Sequence, residues 1–264
     1  MSEQQLVNVL EEIGDLAIAV SGGVDSMTLA EIAHRSGAKT AMFHAVSPAV
    51  PPHATARVQT HAKAHGWDLH IVGAGEFDDP AYMANPLNRC YFCKSNLYGR
   101  LRAATDAVIC SGTNTDDLGD FRPGLKAATE QDVRHPFVEA GIDKSTIRAL
   151  ARDMGLDDLA ELPAQPCLSS RVETGLAIDA DVLTLVDRVE RRLTDLLGPG
   201  DIRCRVTRQG LRIELPPDRI DAFRPFDRRL LEAEIVAAGH RLASVKPYVK
   251  GSAFLQNMAR GTAP

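Results

Sequence analysis

The chain has 264 residues, 44% of them apolar and 25% charged, with a net charge of −5, the profile of an ordinary globular protein built as one large domain or two unequal ones. No apolar run reaches the ~20 residues of a membrane span, and the opening MSEQQLVNVLEEIGD is acidic and amphipathic where a secretory signal is basic and then apolar; a cytoplasmic location with no membrane partner is expected. The acidic balance also weighs against nucleic acid as a partner, since its phosphates call for a basic surface, whereas a small anionic substrate needs only a local basic pocket.

Residues 3–13 predict a leading helix. An apolar run then predicts a strand at 15–20, and Ser21-Gly22-Gly23-Val24-Asp25-Ser26 hands it to a helix at 26–35. That junction is suited to holding a phosphate. Glycines let the backbone approach an anion closely, and the amides and dipole at a helix N-terminus favour its charge. Ser21 and Ser26 add hydroxyl donors, and Asp25 is placed to hold Mg²⁺ on the phosphates. The lysine of a Walker loop is absent, as is the GxGxxG of a dinucleotide site.

Further strands are predicted at 39–46, 68–73 and 106–111, and helices at 53–65, 95–104 and 143–154, with Gly37, Gly66 and Gly155 at helix ends. This alternation implies an α/β fold, a doubly wound parallel sheet covered on both faces. Its ligands are expected at the carboxyl ends of the strands, where Gly112, Thr113 and Asn114 end the fourth strand. Near residue 172 the pattern changes. A long helix from an Asp179 cap to Leu197, strands at 202–207 and 211–215, a helix at 226–238 and a strand at 241–246 predict a smaller α+β domain. The domains are therefore placed at 1–171 and 172–264.

Five cysteines in a cytosolic chain do not suggest a disulfide framework. Cys110 and Cys204 fall inside apolar strand patterns and read as small buried hydrophobes. Cys90 and Cys93 form a CxxC, which by itself is a redox pair, a zinc half-site or an iron–sulfur half-site. With Cys167 in Pro166-Cys167-Leu168-Ser169-Ser170-Arg171, three thiols and an open fourth position suit a [4Fe–4S] cluster.

SGGVDS is similar to the pyrophosphate loop of the PP-loop ATP pyrophosphatases. Together with NRCYFCKSNLY (88–98), SGTNTDDLGDFRPG (111–124) and PCLSSR (166–171), in this order, it resembles the LarE family of ATP-dependent sulfur transferases over essentially the whole chain. The resemblance implies an enzyme that adenylylates a substrate carboxylate and replaces its oxygen with sulfur, acting on a pyridinium mononucleotide in the building of a nickel-pincer cofactor. It implies ATP and Mg²⁺ at Ser21, Gly22, Gly23, Val24, Asp25 and Ser26, with Gly112, Thr113 and Asn114 on the same edge. The family delivers sulfur either from one sacrificed cysteine or from a cluster held by three. Cys90 and Cys93 beside Cys167 make this chain similar to the cluster-bearing members, with sulfide or a sulfur-donor protein as the source and a homo-oligomer as the expected assembly.

The implied substrate carries a phosphate and carboxylates, which suit arginine forks. Arg89, Arg122 and Arg171 flank the motifs, Arg203 and Arg205 alternate on one strand, and Arg212 lies on its partner. Glu190 falls where a LarE-like phosphate pocket has an acid. The family's closing segment has an arginine after its tyrosine; here Val249 follows Tyr248 and Lys250 comes next. Three rivals share parts of this pattern: a tRNA-thiolating enzyme, an ammonia-using ligase and a non-catalytic nucleotide or cluster sensor. Release of pyrophosphate separates the enzymes from the sensor, and a basic groove marks the first.

Overall fold

Short apolar runs become a four-stranded sheet in the structure, a computed structural model that describes residues 2–119 and 122–249. The strands β1 (Leu16–Ala19), β2 (Thr40–Val46), β3 (Leu69–Gly73) and β4 (Val108–Ser111) lie in the order β3-β2-β1-β4. All are parallel, with Leu16 opposite both Thr40 and Val108 and Met42 opposite Leu69. Beyond β4 the sheet gains one parallel bridge, Cys110 to Arg134. It is fixed by Ser111 N–H donating to the Arg134 carbonyl (3.0 Å) and Arg134 N–H to that of Ile109 (2.9 Å).

Because successive strand residues face opposite sides, the sheet carries two separate cores. On one side Leu16, Ile18 and Met42 pack against helices that include α1 (Ser2–Ile13), α2 (Val24–Arg35) and α3 (Pro52–His65). On the other, Ala17, Phe43 and Ile109 meet residues of two later helices. A single turn, α4 (Pro80–Met83), precedes these, which are α5 (Arg89–Ala104), supplying Tyr98 and Leu101, and α6 (Pro123–Glu130), supplying Ala128. The short α7 (Pro136–Glu139), then α8 (Lys144–Asp153) and the short α9 (Asp157–Ala160) complete the first layer with Phe137, Ile147, Leu150 and Leu159. Helices on both faces of a parallel sheet make this the doubly wound α/β class.

Chain contacts divide the molecule into two compact units, the first running to Tyr82 and resuming over Asn88–Gln165, the second comprising Met83–Leu87 and the chain from Pro166. The division falls at Gln165–Pro166, six residues before the boundary expected after Arg171. The excursion of Met83–Leu87 is anchored by Asn85, which is fully buried and held at φ 53°. Its amide donates to the carbonyls of Glu173 and Leu176 at 3.0 and 2.9 Å.

The second unit contains α10 (Ala180–Leu197), α11 (Pro225–Ala237) and the sheet β5-β6-β7 (Arg203–Thr207, Gly210–Leu215, Leu242–Pro247), antiparallel between β5 and β6 and parallel between β6 and β7. Asp179 caps α10 through the amides of Asp181 and Val182. The hairpin turns where expected, and Gly210 at φ 115° is obligatory there, since a Cβ would come within 2.7 Å of the Arg241 carbonyl oxygen. No helix among the described residues is long and apolar enough to cross a membrane.

Candidate active site

The Ser21–Ser26 segment spans the end of β1 and the first turn of α2, with Gly23 as its N-cap. The amides of Val24, Asp25 and Ser26 open the helix and point along its axis toward the sheet edge. Hydroxyls that the sequence offered as donors to a ligand also brace the loop. Ser26 Oγ accepts from Ser21 N–H (3.0 Å) and donates to the Gly23 carbonyl (3.2 Å), and it lies 3.1 Å from Ser21 Oγ. Gly22 has φ 84°, and a Cβ there would stand 2.9 Å from the Ala54 carbonyl oxygen. Arg57 Nη1 donates to the Gly22 carbonyl at 2.7 Å.

Gly112 ties the end of β4 to this loop. A Cβ on it would lie 2.7 Å from Ser26 N and 2.9 Å from Asp25 C, both backbone atoms, so only glycine allows the approach. Thr113 and Asn114 follow on the same edge. Asn114 is buried and shapes the next turn, its amide donating to Asp117 and its Oδ1 accepting from Asp116 N–H. Asp117 also pairs with exposed Arg122 at 2.6 Å. The Ser21–Ser26 loop and the β4 edge are thus brought together.

Asp25 has a partner the sequence reading missed. Lys144, the first residue of α8, donates to both of its carboxylate oxygens at 2.6 and 2.5 Å. Burial still pushes the Asp25 carboxyl above its ordinary value, with Asp117 adding to the rise and Lys144 and Arg148 opposing it. His44 of β2 is buried and hydrogen-bonded to the Val20 carbonyl (2.8 Å) and Thr55 Oγ1 (2.9 Å).

The CxxC opens a helix, because α5 begins at Arg89, six residues before the predicted start. Cys90 and Cys93 stand three apart in its first turns and so share a face. Gly124 of α6 brings that helix close, a Cβ there lying 3.5 Å from the Cys90 carbonyl oxygen. Tyr91, between the cysteines, donates to Glu130 at 2.7 Å and lies under Lys126 at 5.5 Å. Lys126 and Glu130 therefore fasten the cysteine-bearing turn. Cys110 and Cys204 are fully buried, and burial drives both thiols up, Cys110 to about 12. Among the described residues none of the five cysteines is in a disulfide, and none gathers with other Cys, His, Asp or Glu side chains into a metal-holding group of three.

In the second unit, Cys167 caps a 3-10 turn, Leu168–Arg171. Buried Arg171 organises that turn. Its Nη1 donates to the carbonyls of Pro166 (2.7 Å) and Cys167 (3.3 Å) and to Ser170 Oγ (3.0 Å), while Nε and Nη2 clasp both oxygens of Glu190 at 3.0 and 2.9 Å. Glu190 Oε1 also accepts from the Cys204 amide at 2.8 Å. Arg171 and Glu190, expected to bind substrate, are engaged with each other and with the Cys167 turn.

One face of the small sheet carries Arg203, Arg205, Arg212 and Glu214, since Arg205 stands opposite Arg212 and Arg203 opposite Glu214. Arg205 and Arg212 both reach Glu214, at 3.0 and 3.2 Å, so two guanidinium groups share one carboxylate there. Arg203 packs over the Tyr248 ring at 5.5 Å, and burial, with Arg171 nearby, holds it below the usual arginine range. Arg205 also donates to the Ser170 carbonyl at 3.1 Å, which seats the Cys167 turn on the edge of this basic face. Lys250 lies outside the described residues.

No protein-family model matches the chain. It is 39% identical to the uncharacterized protein slr1717 of Synechocystis sp. over 231 residues, 84% of this chain and 85% of that one. It is 29% identical to the pyridinium-3,5-bisthiocarboxylic acid mononucleotide synthase of Lactiplantibacillus plantarum over 231 residues, covering 85% and 83% of the two chains. The uncharacterized protein MJ0830 of Methanocaldococcus jannaschii is 27% identical over 207 residues, 77% and 78% of the chains. With its parallel sheet, its glycine loop at the head of α2 and these relatives along most of its length, the chain belongs to the LarE family of sulfur transferases.

Proposed function

We propose that the protein is an ATP-dependent sulfur transferase that adenylylates a carboxylate of a pyridinium dicarboxylate mononucleotide and exchanges its oxygen for sulfur. What supports this reading is the bond from Arg205 to the Ser170 carbonyl, which ties the backbone of the Cys167 turn to a face whose guanidinium groups suit phosphate and carboxylate. A carboxylate is a poor electrophile because its leaving group would be oxide. Attack of its oxygen on the α-phosphorus of ATP breaks the bond to pyrophosphate and leaves a mixed anhydride. Sulfur then adds to the acyl carbon and AMP departs.

The amides at the head of α2 and the braced loop of Ser21, Gly22 and Gly23 hold the departing pyrophosphate, fixed donors aimed where charge develops. Asp25 would hold Mg²⁺ with it. The carboxylate suits that ion, but Lys144 occupies both oxygens, so metal loading requires Lys144 to turn from Asp25 toward a phosphate oxygen. Gly112, Thr113 and Asn114 complete the nucleotide edge. Arg203, Arg205 and Arg212 take the substrate's phosphate and carboxylates, and Arg89, Arg122 and Lys250 are further anion contacts.

Cys90, Cys93 and Cys167 would hold a [4Fe–4S] cluster. Two thiols on one face of a helix's first turns match the donor chemistry, and the positive end of α5 favours an anionic group there. When bound, the cluster supplies a soft sulfide as the incoming nucleophile. The test is anaerobic incubation with ATP, Mg²⁺, sulfide and pyridinium-3,5-biscarboxylic acid mononucleotide, followed by mass analysis. Products in which oxygen is exchanged for sulfur, with pyrophosphate and AMP released, are expected. Anaerobically purified protein should be brown, and serine at Cys90, Cys93 or Cys167 should abolish that colour; a colourless, zinc-loaded protein that yields no thiolated product refutes the proposal.

A further inference from the structure

A chain of hydroxyls at the mouth of β4 ends on a histidine that the mechanism above does not use. Ser111 Oγ lies 2.8 Å from His135 Nδ1 and 3.0 Å from Thr113 Oγ1. Ser111 and His135 are both fixed through their backbone amides. Ser111 N–H donates to the Arg134 carbonyl at 3.0 Å, and His135 N–H to Glu139 Oε1 at 3.2 Å. The residue between Ser111 and Thr113 is Gly112, the one packed against the amide of Ser26. The outer end of the chain therefore lies at the nucleotide loop.

Ser111 has a single hydroxyl proton, and it can go to only one of its two neighbours. If His135 Nδ1 lacks a proton, Ser111 donates inward to it and Thr113 donates to Ser111, so that Thr113 offers a bound anion only lone pairs. If Nδ1 carries the proton, every link reverses, and the Thr113 hydroxyl is released to donate outward. A phosphate oxygen is an acceptor only, so just the second direction is productive.

We propose that His135 is a positioning residue for the nucleotide: in its Nδ1–H form it orders Ser111 and Thr113 so that the Thr113 hydroxyl donates to an anionic oxygen of bound ATP. This deepens the reading of the β4 edge as a nucleotide site and rests on it. Burial holds the His135 imidazole below its ordinary range, with Lys94 adding to the fall and Glu139 and Asp117 opposing it. The ring is accordingly neutral near pH 7, with one N–H to place.

The test pairs calorimetric binding of Mg·ATP with nitrogen NMR of the histidines in the whole protein. A hydrogen bond to a charged group is worth roughly tenfold or more in affinity. Thr113→Val and His135→Leu should each weaken binding about that much, and the double variant no further than either alone. His135→Asn, which can place an amide donor at the Nδ1 position, should stay within about twofold of the unchanged protein. The His135 Nδ1 resonance should be that of a protonated nitrogen. Independent, multiplying losses in the double variant, or an unprotonated Nδ1, overturn the proposal, and the NMR and His135→Asn results decide it even if His135→Leu does not fold. If the unchanged protein binds no ATP, the nucleotide reading falls and takes the relay with it, an outcome recognised because it is independent of residue 135.

Discussion

Replacing Glu190 with glutamine tests whether the Arg171–Glu190 pair is a scaffold for the Cys167 turn. Arg171 and Glu190 side chains are 6% and 13% exposed, and the guanidinium meets both carboxylate oxygens. Glutamine keeps the shape and one acceptor, but it turns an amide N–H toward a cation and leaves that cation nearly dry and uncompensated. Breaking a buried pair from one side costs about 3–5 kcal/mol. The retained acceptor, which still serves the Cys204 amide, puts the loss near the lower figure. For a protein of this size that is a fall in melting temperature of roughly 10 °C, measurable by calorimetry or by circular dichroism. Arg171 also holds the carbonyls of Pro166 and Cys167, so Cys167 should become several times more reactive toward maleimide in the variant. A melting temperature within about 1 °C of the parent, with unchanged labelling, would refute the scaffold role and return both residues to direct substrate contact.

Gly112→Ala should lower ATP turnover sharply and cost about 1–3 kcal/mol of stability, because its Cβ meets backbone that cannot swing aside; normal pyrophosphate release would contradict the close approach. Lys144→Met should reduce pyrophosphate release about a hundredfold, the scale of removing one fixed charge-stabilising group, and a wild-type rate would remove Lys144 from the site. Maleimide should label Cys90, Cys93 and Cys167 in native metal-free protein, while Cys110 and Cys204 should label only after unfolding; mass spectrometry of peptides decides this. Burial alone would raise the Glu31 pKa, but hydrogen bonds from Trp67 and Arg35, with His65 nearby, bring it below the ordinary value. Glu31 therefore contributes stability above about pH 4.3 that is lost as pH falls through its depressed folded value, and Glu31→Gln should flatten the acid limb of the melting-temperature profile.

Much of this molecule was legible in one dimension. Strand positions at 16–19, 40–46, 69–73 and 108–111 follow from apolar runs bounded by turn residues, and the helix from Asp179 to Leu197 follows from its cap and its 3.6-residue stripe. These are local properties, set by side-chain periodicity and by backbone freedom at glycine. The glycine loop belongs with them, because a strand, two glycines and a helix N-terminus are read from residue order alone and gather free backbone amides at one point. The buried thiols Cys110 and Cys204 were also readable, since each sits within an apolar strand pattern.

Partnerships between distant residues were decided only by the tertiary structure. Lys144 is far along the chain from Asp25, yet the convergence of loops on one sheet edge makes them an ion pair. The three arginines of the small sheet were visible as a cluster of charge, but not the single carboxylate, Glu214, that Arg205 and Arg212 share. Arg171 and Glu190 looked like open ligand contacts until folding turned them toward each other. The physical reason is common to all three cases: residue type determines which bonds a group can make, while only the packing of the whole chain determines which partner arrives first and excludes water from the pair.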